Sequence, residues 1–539
     1  MPRLNTQYTI SNTLHKVLLI AGLFLITYSA KSQTLPVGTP VLEEYYRRMQ
    51  LLGKLDSSIS FTVRPLSSEA LQEEDIFNPV DSAGDRASGH SGIRTFANGK
   101  GKFQVLPITL QTQYNSKRPY GWNDGPMIPA RGFQTVLSAG VYGKYGPLSI
   151  QLRPEVVYAE NRSHAFDNYP GIPDAYIDLP DRFGEKSYKK LFPGQSSIRL
   201  TTGPVSLGVS SENLWWGPGI QNSLLMSNTA PGFNHFTLNT VKPINTEIGA
   251  FEGQLIGGRL EGSGFTDKPD DWRYLSGMTL SYQPRWIPGL FIGFTRSLQS
   301  YSKDLNEFSD YIPIFKAFSN KSNQQGQTPS DQLVSVFSRW LWKDANAEIY
   351  LEYSRGDHAV NLRDYIIEPE HSRAYLVGFQ KLIELPGNRS EYLQLALEGT
   401  HLTQSINYSI RNASSVYTHN QIVHGYTHDG QLIGAGIGPG GDLQSLQVNW
   451  IRTKNNFGVN IERYVYNNDY FGNSFLQTEG RTYLAFGLEM MRKYKELILN
   501  CIIQSIISND RQKVASKAAS LKHNSKGNLQ AQLNISYSF

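Results

Sequence analysis

The sequence predicts an all-β transmembrane barrel of about 16–20 antiparallel strands behind a short helical segment. Three observations lead there: an export-type N-terminus, a period-two alternation of apolar and polar residues that recurs along most of the chain, and a last segment in which that alternation never breaks. The chain has 539 residues, 18% of them charged and 12% aromatic, with 30 tyrosines and 48 glycines. Its mean hydropathy is −0.38, which does not suit a bundle of apolar membrane helices.

The first segment places Arg3, His15 and Lys16 ahead of an apolar run from Val17 to about Tyr28, and then Ala30-Lys31-Ser32 before Gln33. A run this short cannot span a bilayer, which needs about 20 apolar residues, so residues 1–32 read as a cleaved signal peptide. No cysteine lies near the cut, so lipidation is not expected there. Cleavage removes Arg3, Lys16 and Lys31 and no acidic residue, lowering the formal charge from +5 to +2. So neutral a chain lacks the dense positive charge on which nucleic-acid binding rests. The single cysteine, Cys501, excludes an intrachain disulfide framework.

Residues 33–99 read as an N-terminal helical segment and linker. In Pro40–Gly53, Leu42, Tyr45 or Tyr46, Met49 and Leu52 recur at helical spacing, with proline early and glycine late. Leu66–Ile76 is expected to add a second helix, ended by Asn78-Pro79, because a residue before proline is pushed out of the helical region. Ser82–Lys102, rich in Gly, Ser and Asn, reads as a linker into the first strand.

The barrel is expected over residues 100–539. Ile108, Leu110, Thr112 and Tyr114 alternate with Thr109, Gln111, Gln113 and Asn115, and Leu148, Ile150 and Leu152 with Ser149, Gln151 and Arg153. Ile349, Leu351 and Tyr353 oppose Glu348, Glu352 and Ser354. Leu393, Leu395 and Leu397 oppose Gln394 and Glu398, and Leu446, Val448 and Trp450 oppose Gln447 and Asn449. Glu, Arg and Gln on the second face suit a hydrated lumen better than a packed soluble core. In the tail, Leu529, Ala531, Leu533, Ile535, Tyr537 and Phe539 share one face, and Gln530, Gln532, Asn534, Ser536 and Ser538 the other. Eleven alternating residues match a tilted membrane strand of about 9–11 residues. No fixed-period repeat is visible, which argues against a propeller or solenoid.

Three stretches carry a family resemblance. Tyr114-Asn-Ser-Lys-Arg-Pro-Tyr-Gly-Trp-Asn-Asp-Gly125 with Ala130-Arg-Gly132 is the first. Trp215-Trp-Gly-Pro-Gly219 with Asn222–Asn228 and Ala230-Pro231 is the second, and Thr427-His-Asp-Gly-Gln431 with Ile437-Gly-Pro-Gly440 the third. In order, and with the export segment and barrel tail, they resemble the Wzi-type capsule-assembly outer-membrane proteins. The resemblance implies an outer-membrane barrel of about 18 strands with a helical bundle at its periplasmic end. The role it implies is a surface lectin that holds capsular polysaccharide to the cell.

The stretch Ser211–Phe233 has two readings. Tryptophan faces stack on sugar rings and amides bridge hydroxyls, which makes Trp215, Trp216, Asn222 and Asn228 candidate carbohydrate-binding residues. Alternatively Gly217-Pro218-Gly219 is a tight turn that the two tryptophans anchor, at the membrane interface or inside the barrel. His419, His424 and His428 are spaced by five and four residues in an expected loop, so they read as solvated histidines and no metal is assigned. Gly436–Gly441 fits a nucleotide-loop pattern but contains Pro439 and precedes a strand. Asp174 and Asp178 could serve a glycosidase, yet no nucleophile elbow or zinc motif accompanies them.

The expectation is therefore a non-catalytic outer-membrane protein, without cofactors, that binds or organises capsular or surface polysaccharide. Its partners would be that polysaccharide and outer-membrane lipid, with no nucleic acid, and it would be a monomer. A porin-like channel is the alternative, and an outer-membrane glycan-modifying enzyme the third reading.

Overall fold

The computed structural model describes residues 33–79, 92–164, 176–311, 329–356, 370, 372–387, 391–405, 414–452, 455–469, 479–513 and 521–539. The expected signal peptide lies outside them. Among the described residues, antiparallel strands pair with their sequence neighbours from Gly101–Asn115 to Leu521–Tyr537. Three wall strands are each interrupted once: Leu148–Leu152 with Glu155–Ala159, Tyr188–Phe192 with Ser197–Thr202, and His235–Thr240 with Ile244–Thr246. Counting each such pair as one strand gives 18, within the expected range. The wall closes where Gln530–Tyr537 pairs antiparallel with Ile108–Asn115, so no long edge is left open.

The polarity of the wall explains why the alternation was legible. Leu351, Val377 and Leu533 point outward and are exposed, whereas Glu348, Glu352 and Gln394 are enclosed. Only a wall whose outer face meets hydrocarbon is stable with its apolar residues outside and its carboxylates inside. At one end the connections are short, among them Gly146-Pro147, Gly203-Pro204 and Lys495-Glu496. Trp286, Trp342, Trp450 and Tyr494 cluster at that end with exposed rings, as an interfacial aromatic belt requires. The other end carries the long connections.

The lumen is filled from both ends. The helix Pro40–Leu51 forms where its period predicted, and Leu51 packs on Leu341 and Leu382 near the short turns. Polar bolts hold the segment to the wall. Glu348 accepts from Arg47 Nε at 2.6 Å and Arg339 Nε at 2.8 Å. Arg339 Nη1 also donates to the Ser60 carbonyl at 2.9 Å, and Glu252 accepts the Ser60 amide at 2.6 Å.

Two expectations are corrected here. Leu66–Ile76 is not a helix: Leu66-Ser67 pairs with Thr34-Leu35, and Ser67 Oγ accepts the Ala70 amide in a turn that competes with helical bonding. The expected linker also contains a strand, Ile93–Phe96, which pairs with Gly101–Gln104 and continues the closing seam beyond Tyr537.

Candidate functional site

The stretch Ser211–Phe233 leaves the wall strand Val205–Ser210 and folds into the lumen. Trp215-Trp216 pairs antiparallel with Val63-Arg64 of the N-terminal segment, so the two fillings of the barrel are joined by backbone hydrogen bonds. Gly217 donates to the Thr62 carbonyl at 2.9 Å from a backbone with φ of 129°, and a Cβ there would lie 2.7 Å from a Glu352 oxygen. Glycine is required on both counts. The turn then delivers three consecutive amides, Ile220, Gln221 and Asn222, to the Glu398 carboxylate at 2.7–3.1 Å. Tyr350 adds its hydroxyl at 2.9 Å.

The four candidate residues are all buried, at 0–6% exposure. Trp216 donates Nε1 to Gln254 at 2.8 Å, and its ring lies so close to Gly277 that a Cβ there would sit 2.8 Å away. Trp215 has the Arg64 guanidinium 4.5 Å from its ring centroid. Asn222 Nδ2 reaches Thr400 Oγ1 at 3.3 Å, while Asn228 Nδ2 donates to the Asn123 carbonyl at 2.8 Å. Trp215 and Asn228 line one chamber beside the helix; the other two are enclosed by protein.

An aromatic cavity of about 160 Å³ opens near the long connections. Trp122 comes from the connection after Gly101–Asn115, Tyr464 and Tyr466 end the strand Asn455–Tyr466, and Tyr483 lies in Glu479–Tyr494. Trp122 and Tyr464 have ring centroids 5.4 Å apart, and Tyr464 stacks on Tyr483 at 5.6 Å. The Tyr464 hydroxyl is fixed on the Ile437 carbonyl at 2.8 Å. Arg481 lies 5.6 Å from the Tyr466 ring and Asp124 completes the polar rim. Burial pushes the Asp124 carboxyl up to about 7, against the hydrogen bond from Gln113. Tyr464 and Tyr483 are buried, while Trp122 and Tyr466 are partly exposed, and aromatic faces of that kind beside hydrogen-bonding groups suit stacking on a sugar ring. Sequence reasoning placed Trp122 inside a signature stretch without a role and passed over the tyrosines. Their signal was aromatic residues on a lumen-facing period near the long connections.

The histidines are corrected. His424 and His428 are buried, and His428 Nδ1 accepts the Glu261 amide at 3.0 Å. The Tyr301 hydroxyl lies 2.9 Å from His424 Nδ1. Burial first, and for His424 the Arg273 guanidinium next, hold both near 4; at His428 burial outweighs the pull of Asp429. His419 is half-buried and its Nδ1 accepts the Ile422 amide at 3.0 Å. Asp178 is occupied by the Ser263 amide at 2.6 Å and the Thr266 hydroxyl at 2.6 Å, and Asp174 lies outside the described residues.

Comparison with known proteins adds three findings. The family described as capsule assembly protein Wzi matches residues 115–526. No curated protein matches. Among solved structures, Wzi of Escherichia coli, an outer-membrane protein involved in group 1 capsule assembly and described as a carbohydrate-binding β-barrel, is 14% identical with a TM-score of 0.62. That match covers 94% of this chain and all of the other. OccAB2 of Acinetobacter baumannii is 12% identical with a TM-score of 0.41, covering 81% of this chain and 97% of its own.

Proposed function

From the premise that this chain belongs to the Wzi capsule assembly protein family, we propose that it is a non-catalytic outer-membrane protein that holds surface polysaccharide to the cell. The observation that carries the reading is the aromatic cavity of Trp122, Tyr464 and Tyr466 beside the long connections. Sugar rings present apolar C–H faces that stack on such side chains, while Asp124 and Arg481 meet hydroxyls. The buried carboxylates support a binding role over catalysis: Glu398 and Asp178 are committed to backbone amides.

In this reading the signal peptide is cut near Ser32-Gln33, and the short-turn end with its helical segment faces the periplasm. The long connections face outward and the aromatic cavity meets the polymer. Trp215, Trp216, Asn222 and Asn228 act from behind it, by fixing the inward-folded stretch that supports the Asn123–Gly125 connection; Asn228 accepts the Gly125 amide at 2.7 Å. The test is genetic. Deleting the gene should leave polymer synthesis intact and shed the polymer into the medium, and restoring the wild-type gene should return it to the cells. A deletion strain that keeps its polymer attached, or stops making it, overturns the reading.

A further inference from the structure

The wall has a notch at its long-connection end. Two neighbouring wall strands, Val205–Ser210 and His235–Thr240, stop there at Ser210 and His235, which pair with each other. The chain on either side runs further: Tyr188–Phe192 stands on one flank, and on the other Gly249–Leu260 continues past Gly258, the partner of His235. Among the described residues no strand pairs with the second edge of Tyr188–Phe192. The tip of the hairpin made by Thr427-His428 and Gln431-Leu432 closes the notch from the lumen. Asp429 donates its amide to the Glu261 carbonyl at 3.0 Å, and its carboxylate accepts from Lys190 Nζ at 2.6 Å. Outside that tip an open groove of about 550 Å³ remains, with residues 186–190 along one side and Ser263 and Phe265 along the other.

The groove is cationic where it meets the membrane. Three lysines, Lys186, Lys189 and Lys190, stand against two carboxylates, Glu185 and Asp429, which leaves a net charge of +1. Lys190 is spent on Asp429, whereas Lys186 and Lys189 are exposed and meet no carboxylate among the described residues. Lys189 Nζ lies 5.6 Å from the centre of the Tyr158 ring, and lysines beside aromatic rings on a barrel's outer face mark the headgroup level. Toward the midplane the same sector is bare and apolar. Leu191 shares the outward face of Lys189, and the paired Val209 and Phe236 lie on the two short strands; all three are exposed. A free anion would use the lysines and ignore the apolar strip, and a neutral lipid would do the reverse. We propose that the notch seats the phosphorylated head of one outer-leaflet lipid, with its phosphate on Lys186 and Lys189 and its chains along Leu191, Val209 and Phe236. This seating requires that the long connections face outward, as in the capsule reading, and needs no polymer in the aromatic cavity.

The full chain, purified in detergent, is titrated by native mass spectrometry with lipid A, the bis-phosphorylated acylated disaccharide of the outer leaflet, with its dephosphorylated form, and with phosphatidylglycerol. Inorganic phosphate serves as competitor. One lipid A should bind per chain. Removing the phosphates, or introducing Lys186→Gln with Lys189→Gln, should each weaken it by at least about tenfold. Lys186→Arg with Lys189→Arg should retain it. Arg463→Gln, which removes an exposed cation of the same end on the strand Asn455–Tyr466, should leave it unchanged. Heat-modifiable gel migration checks that each variant is folded, and the comparison of the two lipids on the wild-type protein needs no variant. Equal binding of phosphorylated and dephosphorylated lipid, equally tight binding of phosphatidylglycerol, competition by equimolar inorganic phosphate, or a loss with Arg463→Gln as large as that of the double variant overturns the assignment. Polymer affinity of the double glutamine variant should equal that of the wild type. A protein that holds polymer and no lipid A overturns the lipid site alone, and one that holds lipid A and no polymer overturns the capsule reading alone.

Discussion

Individual side chains decide whether the lumen stays filled. Glu398 gathers three consecutive amides and a tyrosine hydroxyl, so one carboxylate sets the path of the chain from Ile220 to Asn222. Hydrogen bonds to a charged group contribute about 1.5–3 kcal/mol, and an amide would place its own N–H groups against those donors. Glu398→Gln is therefore expected to lose roughly that much stability, seen as a lower unfolding midpoint and earlier protease cutting between residues 211 and 234. Trp216→Ala removes a fully buried ring and should cost about 3–5 kcal/mol, lowering barrel yield before any binding is measured. Asp124 gives a pH signature. Its carboxyl is raised from the ordinary 3.8 to about 7, so the folded protein holds this proton more tightly than the unfolded chain. That stabilisation is complete below about 4 and lost as pH rises through 7. Asp124→Asn should flatten this component of an unfolding-versus-pH curve; an unchanged slope would show that the carboxyl is not buried in this way.

At the scale of elements, the wall strands were readable and the connections were not. A strand with one face in lipid must alternate strictly, which is why Ile349–Tyr353 and Leu529–Phe539 showed in sequence the faces they present in the fold. Charge on that outer face is expensive: Leu351→Lys or Leu533→Lys should cost about 2–4 kcal/mol near the midplane and reduce assembled protein on heat-modifiable gels. The inward fold of Ser211–Phe233 left no comparable period, because its partners, Val63-Arg64 and Glu398, are distant in sequence. Leu66–Ile76 misled for the same reason: pairing with Thr34-Leu35 overrode the expected helix. Of the proposed ligand surface, Trp122 stood in a quoted motif, but Tyr464 and Tyr483 sit on the lumen face of strands, where the pattern leads one to expect polar residues.

The connection containing His424 and His428 carries the opposite pH dependence to Asp124. Both imidazoles are held near 4, below the ordinary 6.5, so the undocked state takes up protons first as pH falls. Stability of the docked connection is complete above about 6.5 and declines toward 4. Arg273 disfavours the charged forms, and Asp178, near His424, and Asp429, beside His428, favour them. Protease cutting between residues 414 and 441 should rise between pH 7 and 5. His424→Gln should weaken that rise, and cutting that is flat across this range would show the histidines to be solvated.

For the whole molecule, a wall built for lipid encloses two fillings, one from the N-terminal segment and one from the long connections, joined at Trp215-Trp216 and Val63-Arg64. That junction ties the N-terminal segment to the stretch whose Asn228 carbonyl accepts the Gly125 amide beside the cavity lined by Trp122, Tyr464 and Tyr466. After cleavage of the expected signal peptide the formal charge would be +2, so attraction to bulk anionic polymer is weak and retention must rest on shaped contacts. The most direct measurement is the affinity of the purified protein for its own cell's polysaccharide at about 0.05 and about 0.2 M salt, with Trp122→Ala alongside. Stacking survives screening, so the wild-type affinity should change little with salt, and Trp122→Ala should weaken it by about 0.5–1.5 kcal/mol, roughly 2- to 10-fold. Failure of the wild-type protein to bind the native polymer, or binding that collapses with salt and ignores Trp122, would contradict the account.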